Sequence, residues 1–384
     1  MTVRTASAAL IAAGLLLTAC ASPQPAAAPA APSRAPVKDP IVTTYDGGLY
    51  VLDGHTLQLA EDIPLTGFNR VNPAGDDRHV LVSTSTGFRV LDAVGATLKD
   101  DEFKGNKPGH VARHAGRTAL FSDGTGEVTV FDPKNLAAGL PKGEVYTSAA
   151  PHHGVAIQLG NRELVVTLGT EEEGVGILVL DENRKEITRN EKCPGVHGEA
   201  TAKDEAVVIG CEDGVLIYKD GKITKVDSPD DYGRVGNQSG SDSSPIVLGD
   251  YKKDPDAELE RPTRISLIDT VGGTLKLVDL GTSYTFRSLA RGPQGEALVL
   301  GTDGRVHVID PDRAEVVKSI DVMDEWSEPL EWQQPRPAIF VRDNTVYVSD
   351  PAKKHVHAVD LPSSGVVRSA TLPRSPNELS GTAG

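Results

Sequence analysis

The sequence predicts an all-β fold from three observations. An apolar run ending in Asp recurs eight times, a second apolar run with a Gly- or Asp-containing turn precedes each copy, and Gly and Pro together make up about one residue in six. Such dense punctuation favours many short elements joined by turns over long helices. The eight runs end at Asp53, Asp92, Asp132, Asp181, Asp220, Asp269, Asp310 and Asp360. The copy at Val215-Leu216-Ile217-Tyr218-Lys219-Asp220 is shifted by one residue. Their mean spacing is about 44 residues, within the range of propeller blades. The preceding runs include His79-Val80-Leu81-Val82-Ser83, Ala119-Leu120-Phe121-Ser122-Asp123-Gly124, Ala206-Val207-Val208-Ile209-Gly210 and Ala297-Leu298-Val299-Leu300-Gly301. No 3.6-residue periodicity supports a helical solenoid, so the reading is a single β-propeller of eight four-stranded blades. Seven blades is the alternative if one copy is an excursion, since the spacing stretches to about 49 at 132–181 and 220–269. The first repeat, from Ile41, lacks an innermost strand. The segment after Leu372 is therefore expected to supply it and close the ring, which removes an open sheet edge.

Composition sets outer bounds on function. A formal charge of −15 excludes a nucleic-acid binder that works through a broad basic face. At the N-terminus, Arg4 and the apolar run 8–17 lead into Leu17-Thr18-Ala19-Cys20. The run is too short to span a bilayer and reads as a lipoprotein signal peptide over 1–19, with Cys20 as the lipidated residue. Residues 20–40, rich in Ala and Pro, read as a tether, and 41–384 as the propeller domain. The compartment is extracytoplasmic and oxidising, on the outer face of the bacterial cell membrane, with the lipid as the membrane contact. A monomer is expected. Cys193 and Cys211, 18 positions apart, are then read as a disulfide, with a pair of thiolate metal ligands as the rival.

Aligning the repeats places three histidines together. The innermost strands begin Pro108-Gly109-His110-Val111, Pro151-His152-His153-Gly154 and Pro194-Gly195-Val196-His197-Gly198-Glu199. His110, His153 and His197 are 43 and 44 residues apart, one blade each, so they face the same end of the channel. Imidazole is a common zinc ligand, and zinc takes four donors. The fourth ligand is expected to be Asp123, on the turn between second and third strands at that end. Glu199 is the reserve, two residues from His197 on the same side. His152 is a further reserve or a neighbour of the site. Single blade histidines are often structural; the repetition at equivalent positions is what favours a metal. His355-Val356-His357 has strand spacing and is read as an ordinary strand exterior, with a weak second site as the alternative.

These motifs, together with Phe121-Ser122-Asp123-Gly124-Thr125-Gly126-Glu127-Val128 and Gly210-Cys211-Glu212-Asp213-Gly214-Val215, resemble the AztD-type periplasmic zinc metallochaperones. The resemblance runs over roughly 41–372, with its specific motifs within 108–215. It implies a β-propeller that binds zinc and passes it to the solute-binding protein of a zinc ABC importer, with His110, His153 and His197 as the metal-binding histidines. Residues 21–40 contain no histidine, so an accessory site on a His-rich tail is not expected here. The lipid anchor implies transfer at the membrane face.

The expected activity is therefore zinc carriage by ligand exchange, without catalysis. Two other classes stay open: a metal-dependent, lactonase-like propeller hydrolase, in which zinc would activate a water, and a metal-free interaction propeller. Quinoprotein chemistry would call for tryptophan docking motifs between blades, and the only tryptophans, Trp326 and Trp332, lie in one segment.

Overall fold

The Asp that ends each repeat turns the chain from a blade's third strand into its fourth. In seven copies its carboxylate accepts backbone N–H groups of the following turn at 2.8–3.1 Å, as from Thr56, Gly95, Lys134, Lys185, Gly272, Arg313 and Ser363. A short acidic side chain can mimic a backbone turn in this way. The shifted copy uses a different device. Asp220 and Gly221 both take positive φ (48° and 78°) in a two-residue turn between paired Lys219 and Lys222, which is the tight hairpin that Asp-Gly favours.

The computed structural model describes residues 1–3, 5 and 35–383. Cys20 and most of the segments read as signal and tether lie outside the described residues. The described β-structure forms eight blades, each an antiparallel path of four strands. The blade count therefore settles at eight. In the fifth, a short parallel bridge from Asp213 to Gly233 is added.

The predicted closure is present. The strand Leu379–Gly381 pairs with Ile41–Tyr45 and becomes the inner strand of the first blade. One boundary moves: the compact unit begins at Pro36, so the last residues of the segment read as tether belong to the fold. Val37 is buried and its N–H donates to Val94 O, while Lys38 O accepts from Gly54 N.

The second and third strands of the blades read as unbroken apolar runs because both of their faces are covered by neighbouring blades. Arg117–Ser122, for example, is buried from Thr118 onward. Eight apolar clusters fill the eight seams among the described residues. One joins Phe121 and Val128 of the third blade to Leu164 and Val166 of the fourth. Another joins Tyr347 and Val356 of the eighth to Ile41 and Tyr50 of the first. Because strands within a blade alternate in direction, each inner strand begins at the end of the ring where the second strand hands over to the third. That end carries the histidines.

Candidate metal centre

Two local irregularities aim the outer two histidines. In Pro108–His114 the pairing register shifts between Pro108 and Val111, and in His197–Ala202 it shifts between His197 and Glu199. Bulges of this kind re-aim a side chain out of the regular alternation. Gly198 permits the second, with φ at +73°. Gly109 permits the first, because a Cβ there would lie 2.1 Å from Asp123 Oδ1. His153 differs from the expectation: it sits on a loop, and the inner strand of its blade, Ala156–Gln158, starts three residues later.

The three imidazoles converge. Their ring centroids are 5.0–5.3 Å apart, and one nitrogen from each lies within 4.8 Å of the others. His153 Nε2 and His197 Nε2 face each other at 3.1 Å. Two donors on one tetrahedral zinc, each about 2.0–2.1 Å from the ion, stand about 3.3 Å apart.

Each Nδ1 has an oxygen beside it. His153 Nδ1 donates to Asp123 Oδ2 and His197 Nδ1 to the Gly236 carbonyl, both at 2.5 Å, while His110 Nδ1 lies 2.9 Å from Glu199 Oε2 as an ion-pair contact. Gly236 N in turn donates to the buried Asp250 at 2.6 Å. Fixing the proton on Nδ1 of His153 and His197 leaves Nε2 of those two rings as unprotonated bases, the form a metal needs. An outer carboxylate or carbonyl behind a ligating histidine also raises its basicity.

The carboxylates stand behind two of the rings: Asp123 Oδ2 accepts from His153 Nδ1 and Glu199 Oε2 lies 2.9 Å from His110 Nδ1, while the compact group of donor atoms is that of His110, His153 and His197. The reason is the tight turn 122–126, closed by Gly126 N to Ser122 O at 2.8 Å, which sets Asp123 beside the His153 ring. His152 stands apart from that group. It is buried, with Nδ1 on Ala150 O and Nε2 on Thr167 Oγ1, both at 3.0 Å, and its ring meets Phe121 edge-on. The contribution of the sixth blade, through Gly236 and Asp250, had no signal in the sequence because the contacting atom is a backbone carbonyl. Replacing Asp123 with Asn should therefore weaken zinc binding by about 10–100-fold without abolishing it, as for other outer-shell partners, read by chelator competition. No change in affinity would remove Asp123 from the site.

Burial, reinforced by the neighbouring His110, pushes His197 down to about 3. Its proton affinity in the unfolded chain is ordinary, near pH 6.5. The unfolded state thus binds a proton that the folded state refuses, and the metal-free protein should lose stability as pH falls from about 6.5 towards 3. In a urea titration series this slope should flatten in a His197→Gln variant; an unaltered slope would contradict it.

The disulfide between Cys193 and Cys211 is formed, with Cα atoms 4.9 Å apart and both residues fully buried. It ties the turn before His197 to the second strand of the same blade. Glu212 N to Pro194 O and Gly195 N to Gly174 O clamp that turn further. Closing an 18-residue separation stabilises a chain by about 3 kcal/mol in the loop-entropy account. The Cys193→Ser, Cys211→Ser variant should melt at a lower temperature by that measure and weaken zinc binding in parallel. Unchanged melting would show that the bond carries no stability.

The cluster opens to solvent on one side. The His153 side chain is 52% exposed, whereas that of His110 is 20% exposed. Away from that opening, Glu199 also lines a polar cavity of about 260 Å³ with Arg113 and Gln238.

The chain is 28% identical over 283 residues to the zinc chaperone AztD of Citrobacter koseri, a match that takes in 71% of this chain and 65% of the relative's length. The crystal structure of apo AztD from the same organism superposes with a TM-score of 0.77 at 23% identity, covering 90% of this chain and 98% of that one. The dihydro-heme d1 dehydrogenase NirN shares the propeller fold, with a TM-score of 0.59 at 13% identity and coverage of 90% and 75%. No family model matches the chain.

Proposed function

We propose that this chain is an extracytoplasmic zinc metallochaperone, similar in function to the zinc chaperone it resembles. The observation that carries this reading is the convergence of three imidazoles, each with a nitrogen within 4.8 Å of the others, two of them with Nδ1 held by a hydrogen bond that leaves Nε2 for an ion. His110, His153 and His197 hold the zinc, Asp123 and Glu199 orient two of the rings, and the fourth position is open on the exposed His153 side. An open position suits a carrier, because an incoming ligand from an acceptor can bind before the first histidine leaves. The solute-binding protein of a zinc ABC importer is the proposed acceptor. The N-terminal sequence, read as a signal over 1–19, a lipidated Cys20 and a tether, supports carriage at the outer face of the cell membrane, and the net charge of −15 favours cation capture there.

A zinc hydroxide at the same open position would be the starting point for hydrolysis. Asp123, beside the cluster, is already engaged through Oδ2 by the His153 imidazole, which disfavours it as a general base. The proposal is therefore a carrier and not an enzyme. The test is stopped-flow transfer from the zinc-loaded protein to the solute-binding protein encoded in the same genome. A transfer rate that climbs with acceptor concentration supports direct ligand exchange. A rate that stays at the spontaneous dissociation rate would overturn it.

A further inference from the structure

We propose that the eighth blade holds a second divalent-cation site, formed by Asp350, His355 and His357, with zinc as the cation its donors fit best. The hairpin of Thr345–Asp350 and His355–Asp360 builds it. Alternation puts His355 and His357 on one face of their strand, and the cross-strand pairing of Asp350 with His355 brings the carboxylate to the same face. One donor atom from each of the three lies within 4.8 Å of the others, and the two rings meet edge-on at 5.5 Å.

His357 supplies an independent sign of a missing ligand. It is only 8% exposed, its Nδ1 lies 2.7 Å from Ser369 Oγ, and its buried Nε2 has no hydrogen-bond partner. A buried polar atom without a partner is costly, and in folded proteins it usually marks a bound water or ion. With the Nδ1 proton given to Ser369, Nε2 is a ready donor. The neighbouring repeat provides an internal control. In the seventh blade His307 has the same strand position and the same hydroxyl partner, Ser319 Oγ at 2.9 Å. There, however, Nε2 is satisfied by the Asp303 carboxylate at 3.1 and 3.2 Å, and Arg305 stands where the eighth blade has His355. Of these two blades, the one with the second imidazole is the one whose buried nitrogen is open.

Asp350 is 1% exposed and accepts one N–H, from Lys353 at 3.1 Å. The Lys353 ammonium is paired elsewhere, with Asp324 at 2.6 Å. Two imidazoles and a carboxylate are a zinc donor set with one position left for water. The site lies at the same end of the ring as the first, four blades away, so the two share no ligand. It therefore stands independently of the proposed carrier function.

Equilibrium dialysis with zinc, on the propeller from residue 36 onward, tests this. The wild type should bind two ions, and His355→Ala or Asp350→Asn should bind one. The His110/His153/His197 triple alanine variant should still bind one, and adding His355→Ala to it should leave none. His355 is partly exposed and Asn matches Asp in size, so these variants should keep the wild-type melting temperature without metal. Cobalt(II) added to the triple variant should give a visible absorption band that His355→Ala removes. The proposal is overturned if the triple variant binds no metal or if His355→Ala leaves its binding intact. If instead the triple variant binds as much as wild type, the first site fails and the second stands.

Discussion

Replacing His153 with alanine should abolish tight zinc binding at the three-histidine centre while leaving the propeller folded. His153 provides one of three imidazole donors and is half-exposed on a loop, so its loss opens no core cavity. Two imidazoles would remain, with Asp123 deprived of the ring it orients. The affinity should fall by more than the about 100-fold upper limit for losing an orienting partner alone. Competition against a chromogenic chelator reads the affinity, and thermal unfolding without metal reads the fold. The account requires the first to collapse and the second to hold. Wild-type affinity in this variant would mean that the ion is held elsewhere.

Removal of residues 377–384 should destroy the closed ring. The deletion takes away the inner strand of the first blade and exposes the edge of Ile41–Tyr45. It also removes Thr43 Oγ1 to Glu378 O at 2.7 Å and the Thr382 carbonyl that accepts from buried Arg342 at 2.8 Å. Most costly is the fate of Arg287. Burial pushes this guanidinium down to about 10, still charged at neutral pH, and its buried partner Glu378 lies 2.7 Å away. Stranding one member of a buried ion pair costs about 3–5 kcal/mol, against total stabilities of about 5–15 kcal/mol for folded domains. Added to the lost strand, this should leave a chain that aggregates or unfolds at ambient temperature. A soluble truncated chain with the wild-type melting profile would contradict the closure.

The blades and the positions of the three histidines were legible because both follow from local periodicity. A strand alternates over a few residues, an Asp turn follows it, and equal spacing between repeats carries equal positions to one end of the ring. The placing of Asp123 and Glu199 behind two of the rings was not legible. Sequence shows a carboxylate near an imidazole, but which ring nitrogen it meets depends on two register shifts and on the close approach of Gly109. His152 was ambiguous for a similar reason. Only the fold reveals that Ala150 O and Thr167 Oγ1 already occupy both of its nitrogens. The start of the fold at Pro36 was hidden by composition, since Val37 is one apolar residue among Ala and Pro and its burial depends on the second blade.

X-ray absorption at the zinc edge, on protein loaded with one equivalent of zinc, tests the three-histidine centre most directly. The prediction is a first shell of nitrogen or oxygen at about 2.0–2.1 Å with outer-shell scattering from three imidazoles, and in the triple alanine variant the three-imidazole signal should give way to that of the two imidazoles in the eighth blade. A sulfur shell at about 2.3 Å, or scattering from fewer than three imidazoles, would contradict it.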